Sequence, residues 1–154
     1  MSTHHYATTV SWEGSTGTGY DHYDRGHTAR VVPVASALDL SGDPAFGGDG
    51  GRLNPEQLFV LAASSCQMLS FLAAAARARI DVIAYDDDAV GEMPEGDRPV
   101  RITRIRLRPR ITVRGDVADK RVQHLVEVGH RECYIANSIT TDITIEVEIL
   151  RARD

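Results

Sequence analysis

Two thiols, Cys66 and Cys133, are the residues of widest chemical reach in this 154-residue sequence. A cysteine attacks electrophiles as its thiolate, and it can pass through a sulfenic acid to a disulfide. Cys66 ends the run Asn54-Pro55-Glu56-Gln57-Leu58-Phe59-Val60-Leu61-Ala62-Ala63-Ser64-Ser65-Cys66, and Cys133 lies far downstream. There is no close C-x-x-C pair, which disfavours the low-potential disulfide of a thioredoxin-like site; the two thiols must meet through folding. Two cysteines are also too few for a disulfide scaffold, and a reducing compartment does not normally sustain a static crosslink. A paired-thiol redox site is therefore the leading reading, set against two small buried hydrophobes.

Other reactive side chains give weaker signals. His4, His5, His22, His27, His124 and His130 do not combine with the cysteines at the spacing of a structural zinc site, so no metal is expected. Arg104, Arg106, Arg108 and Arg110 share one face of a strand, as a nucleic-acid stripe would. No aromatic residues are interleaved for base stacking, and the acidic face around Glu146 and Glu148 is the simpler partner. Asp86-Asp87-Asp88 reads as a strand-end charge cluster lacking most ligands of a divalent-ion site.

The elements that must position the thiols are legible from pattern. Asn54 is a good N-cap, Pro55 suits the first helical position and Glu56 complements the helix dipole. From there to about Arg79 the spacing predicts one long helix, apolar around most of its axis and so expected to be buried on every side. Ala118, Val122, Leu125, Val126 and Gly129 recur at helical spacing and predict a second, amphipathic helix ending near His130. Cys133 follows it, and a short helix over 135–139 would place that thiol near a helix N-terminus, which favours thiolate. Alternation predicts strands over 5–12, 28–34, 81–90, 105–113 and 143–149, the last two as neighbours. Between the second and the long helix, Ser41-Gly42-Asp43-Pro44 and Gly47-Gly48-Asp49-Gly50-Gly51 must be loop.

In order and spacing, Trp12-Glu13-Gly14, Tyr23-Asp24-Arg25-Gly26-His27, Asn54-Pro55-Glu56-Gln57-Leu58, Cys66 and Cys133 resemble the OsmC/Ohr family of thiol-dependent peroxidases over nearly the full length. That resemblance implies an α+β fold in which a long central helix and a second helix pack with antiparallel sheets in an intertwined homodimer. It implies that Cys66 is the peroxidatic thiol and Cys133 the resolving thiol, with an arginine and a glutamate supporting Cys66. Glu56 matches the glutamate; Arg25 is the better match for the arginine, with Arg30 as the alternative. An arginine stays protonated beside a thiolate, and a carboxylate can fix its planar fork. The family's resolving cysteine is usually followed by proline, whereas here the run is Cys133-Tyr134-Ile135-Ala136-Asn137-Ser138. Glu56 and Cys66 stand ten positions apart, about 15 Å along one helix, so either the helix breaks or a second subunit completes the site.

Length and composition bound the rest. One domain spanning 1–154 is expected, with one core. The net charge of -5 gives no general attraction for nucleic acid or an anionic membrane. The first residues lack a basic segment followed by an apolar core, so a cytoplasmic location is expected. The resulting expectation is reduction of an organic hydroperoxide at the expense of a dithiol, without metal, flavin or nucleotide cofactor. The alternative is a noncatalytic redox-sensing or small-molecule-binding protein on the same dimer.

Overall fold

The computed structural model describes residues 2–152. The chain divides into two compact units, Met1–Leu58 and Phe59–Asp154.

The first unit carries an antiparallel sheet of β1 (Thr9–Ser11), β2 (His27–Arg30) and β3 (Ala37–Leu40), in that order. Val10 faces Ala29, which in turn faces Leu38. The first two strands are shorter than the alternation predicts, and β3 is an element it does not predict. Beyond β2 the chain turns at Val32 and Pro33, where proline has no N–H to offer a ladder. The glycine-rich stretch is loop around one 3₁₀ turn, Pro44–Phe46, which Asp43 opens by accepting the Ala45 amide and Gly47 closes at φ 79°. The Ser41 amide donates to the Leu53 carbonyl at 2.9 Å, holding the two ends of this loop together.

Helix α1 occupies Pro55–Arg77 without interruption. Its cap is reciprocal: the Asn54 carboxamide accepts the Gln57 amide at 2.8 Å, and the Gln57 side chain accepts the Asn54 amide at 3.0 Å. Two otherwise orphaned N–H groups are thereby satisfied. By length and composition α1 is apolar enough to cross a bilayer. Within this chain, however, only one stripe of it is buried, at Ala63, Gln67, Phe71, Ala74 and Ala75. The expectation of burial on every side is not met in one chain: Leu61 is 57% and Leu69 60% exposed.

In the second unit that stripe packs against α2 (Asp119–Glu132) and a bent sheet. Three chain segments each supply two strands: β4 (Asp81–Asp87) and β5 (Val90–Glu92), β6 (Arg104–Leu107) and β7 (Pro109–Arg114), β8 (Asp142–Ile145) and β9 (Glu148–Arg151). One half is ordered β4-β7-β9 and the other β5-β6-β8. The single long basic strand and the single C-terminal strand predicted by alternation are thus each divided in two. Register survives the division, since Arg104 faces Asp142 and Arg110 faces Glu148, the same offset of 38 positions. The outer pairs are antiparallel, as the resemblance implies, but these central pairs are parallel, so the two sheets of this unit are mixed. The physical reason is the crossover through α2, which returns the chain in the same direction.

Asp87 clasps the bend: one carboxylate oxygen accepts the Arg108 amide and the other the Ser64 hydroxyl of α1. Ile105, Leu107, Ile111 and Val113 all point inward and are fully buried, so the predicted alternation does define the inner face. They divide between two clusters where one core is expected, one around Phe71 with Ile111, Val113, Val122 and Val126, the other formed by Ala63, Ile105 and Leu107. On the outer face Arg106 pairs with Glu92, Arg110 with Asp88, and Arg104 with Glu92 and Asp142. Three of the four arginines of the stripe are thus ion-paired, mainly from β5 and the β4–β5 bend instead of from Glu146 and Glu148, while Arg108 donates to the Asp88 carbonyl.

Candidate functional site: two arrays of reactive side chains

The first unit holds Arg25 in an aromatic clamp. Its guanidinium carbon lies 4.1 Å from the Tyr23 ring centre and 4.9 Å from that of Tyr20. The same group donates to the Tyr23 carbonyl at 3.0 Å and the Tyr20 carbonyl at 2.8 Å. Trp12 meets the Tyr23 ring edge to face and anchors itself by donating its indole N–H to the Asp24 carbonyl at 2.7 Å. Space for this arrangement depends on glycine: a Cβ at Gly47 would stand 2.9 Å from the Arg25 guanidinium carbon. Stacking on electron-rich faces favours the cation, and the carbonyl bonds fix the plane of its fork.

Arg25 lines a cavity of about 520 Å³ together with Trp12, Tyr20, Tyr23, Phe46 and Glu56. The sequence-predicted arginine and glutamate therefore share one cavity wall, within the first unit. They are not joined there, as the Arg25 hydrogen bonds run to backbone carbonyls and no ion pair links it to Glu56 among the described residues. Arg30, the alternative arginine, sits exposed on β2 opposite Thr9 and Ala37 and does not line this cavity. Trp12 belongs to the Trp12-Glu13-Gly14 motif of the resemblance, whereas the contribution of Tyr20 is not deducible from alternation; its prior sign is aromatic enrichment beside the Tyr23-Asp24-Arg25 segment.

The second unit brings the two cysteines together, both as free thiols. Cys66 is half-buried on α1, and Cys133 is 1% exposed where α2 ends. The Cys133 amide donates to the His130 carbonyl at 3.2 Å, closing α2, after which a 3₁₀ turn begins at Ala136. Close approach of the helices produces this meeting: a Cβ at Gly129 would lie 2.8 Å from the Phe71 backbone. One turn earlier, the Gln67 carboxamide reaches across from α1 and donates to the Val126 carbonyl at 3.2 Å.

Burial pushes the Cys133 thiol up; the Ala136 and Ile135 amides, turned toward its sulfur, pull it back in part, and the hydrogen-bonded Cys66 beside it raises it further. The net effect is a neutral Cys133. The helix-terminus argument identified the right amides, with Ala136 N–H at 3.5 Å from Sγ, but removal of the sulfur from water outweighs them. Cys66 also opens onto a cavity of about 430 Å³ shared with Leu69, Ala73, Tyr134 and, at one side, the paired Arg77 and Glu132. A half-buried thiol that lines a cavity and a protonated thiol held beside it form an arrangement suited to two-step thiol oxidation. Among the described residues no group of three or more His, Cys, Asp or Glu is placed to hold a metal ion.

Residues 48–148 match the model of the OsmC-like protein family. The chain belongs to that family. Its fold is similar to that of an OsmC-like protein of unknown function from Vibrio cholerae, 28% identical, with a TM-score of 0.85 over 95% of this chain and 100% of the other. It is also similar to an organic hydroperoxide resistance protein OsmC from Legionella pneumophila, 15% identical, TM-score 0.69, covering 97% and 99% of the two chains. A third similar structure is an organic hydroperoxide resistance protein from Elizabethkingia anophelis, 16% identical, TM-score 0.68, covering 98% and 99%. No curated protein sequence matches the chain.

Proposed function

We propose that this protein is a thiol-dependent peroxidase that reduces organic hydroperoxides. The observation that carries the reading is the meeting of Cys66, open to a cavity, with the buried thiol of Cys133. Membership of the OsmC-like family and a fold shared with organic hydroperoxide resistance proteins support it.

In the proposed cycle the Cys66 thiolate attacks the distal peroxide oxygen; the O–O bond breaks, leaving Cys66 sulfenic acid and an alcohol. The neighbouring Cys133 sulfur then attacks the sulfenic sulfur, an S–S bond forms and water departs. A dithiol returns both cysteines to the reduced state and is itself oxidised to a disulfide. Such a cycle needs a steady supply of dithiol and suits a cytoplasmic setting.

Arg25 and Glu56 enter this proposal through a homodimer. Because α1 is unbroken, Glu56 and Cys66 stand about 15 Å apart along a single axis. In the dimer, Arg25 would stabilise the Cys66 thiolate of the partner subunit, and Glu56 would orient Arg25 once the fork turns from the Tyr20 and Tyr23 carbonyls. The exposed apolar side chain of Leu61 on α1, which does not line the Cys66 cavity, supplies a surface for that association.

Turnover of an organic hydroperoxide with excess dithiol tests the reading. Wild-type protein is expected to consume peroxide and Cys66→Ser to lose turnover altogether. An equal rate in both proteins would reject the enzyme and favour a noncatalytic binding or sensing role.

A further inference from the structure

The two sulfurs are unequally placed for the reductive half of the cycle. Cys66 forms part of the wall of the 430 Å³ cavity, between Leu69, Ala73 and Tyr134. Cys133 is absent from that wall and 1% exposed, covered by its own chain at the junction of α2 and the following 3₁₀ turn. A thiolate cleaves a disulfide by approaching one sulfur along the S–S axis from the side opposite the leaving sulfur, so access chooses the target. From the cavity, the approach leads to Cys66 and drives the Cys133 sulfur back toward its own pocket.

We infer that reductant enters the oxidised protein through this cavity at Cys66 Sγ, so that the mixed disulfide forms on Cys66 and Cys133 is the leaving thiol. This rests on the proposed Cys66–Cys133 disulfide. The incoming thiolate forms a bond to the Cys66 sulfur while the Cys66–Cys133 bond breaks, and Cys133 departs with the electron pair and then takes a proton. The second thiol of a dithiol attacks the reductant's own sulfur in the mixed disulfide, closing a ring and releasing Cys66. Two electrons and two protons have then passed to the protein.

Burial makes Cys133 the costlier thiolate, so access and not leaving-group acidity sets the direction of attack, and only the local amides ease the departure. The Ala136 amide, 3.5 Å from Sγ, and that of Ile135 offer N–H dipoles to the departing thiolate. A buried thiolate is costly, so this pocket would hold it only until protonation. The reverse polarity, with attack on Cys133, would require an external thiol to displace the covering chain first.

The test begins with disulfide made by diamide, which oxidises thiol pairs without peroxide, so its outcome is separate from that of the peroxidase assay. The oxidised protein is pulsed with the monothiol 2-mercaptoethanol, quenched in acid, blocked with N-ethylmaleimide and digested with trypsin. Cleavage puts Cys66 and Cys133 on different peptides, 53–77 and 132–151. The expected result is mercaptoethanol on Cys66 and maleimide on Cys133, with at least a tenfold excess over the opposite pattern. Adducts mainly on Cys133, or equally on both, would overturn the inference.

A second measurement does not depend on disulfide yield. The 2-nitro-5-thiobenzoate adduct of Cys66, made in Cys133→Ser, should release its chromophore to 2-mercaptoethanol at least about tenfold faster than the adduct of Cys133 in Cys66→Ser. Equal rates, or faster release from Cys133, would count against it.

Discussion

Gly129→Ala is the substitution that most directly connects packing to the thiol chemistry. The new Cβ would lie 2.8 Å from both Cα and N of Phe71, against an ordinary contact distance of at least 3.4 Å. Backbone atoms cannot rotate away, so α2 must move off α1 by about 0.6 Å or tilt by an equivalent amount. Overpacking of this kind costs about 1–3 kcal/mol, whereas exchange of glycine for alanine inside a helix returns about 1 kcal/mol. The expected net effect is a loss of about 1 kcal/mol in urea unfolding. Cys133 lies four residues further on, about 6 Å along the axis, and so moves with the helix. Disulfide formation tolerates little displacement, so diamide oxidation of the Cys66–Cys133 pair should slow several-fold while alkylation of Cys66 changes little. A variant that gains stability and forms the disulfide at the wild-type rate would refute the close helix contact and its role in presenting Cys133.

Other expectations follow from separate features. Asn54→Ala removes the side-chain acceptor of the Gln57 amide and should cost about 1 kcal/mol in calorimetric stability. Arg25→Lys keeps the charge but loses the planar fork on two carbonyls and two rings; kcat/KM of the proposed peroxidase reaction should fall about tenfold or more. Burial raises the Cys133 thiol, and it also raises the Tyr85 phenol, with the negative Asp87 contributing to the latter. Each acid is then ionised more readily in the unfolded chain, so its stabilising effect is intact below the unfolded pKa and is lost as pH rises toward the folded one. Urea midpoints at pH 7 and pH 9.5 should fall more steeply for wild type than for Cys133→Ala.

Much of the fold is written in local signals. Asn54 and Pro55 mark the start of α1, and the inward residues Ile105, Leu107, Ile111 and Val113 keep strict alternation even though their strand is divided. That unbroken alternation conceals the bend; Pro109, poorly suited to the middle of a strand, is the one local hint. Strand direction was not legible either, because α2 as a crossover is a tertiary fact and the charge pattern of Glu146 and Glu148 suits parallel and antiparallel neighbours equally. For the candidate site, residue types pointed to Cys66 and Cys133, and the family resemblance added Arg25 and Glu56. Their surroundings depended on contacts between distant segments: the Gly129 approach to Phe71, the clamp of Tyr20 and Tyr23, and the desolvation that holds Cys133 neutral.

The bend also constrains how chain length can change. The 38-position offset links β6 to β8 and continues unchanged from β7 to β9. The antiparallel partners likewise keep step from Ala84 facing Thr112 to Glu92 facing Arg104. Deleting Arg108 would therefore leave one half of the ladder a residue out of phase, turning either Ile105 and Leu107 or Ile111 and Val113 outward. Compensation would require matching deletions in the other two segments at the same level. The three chain segments form a length-locked set, in which insertions and deletions are acceptable only in the connecting loops.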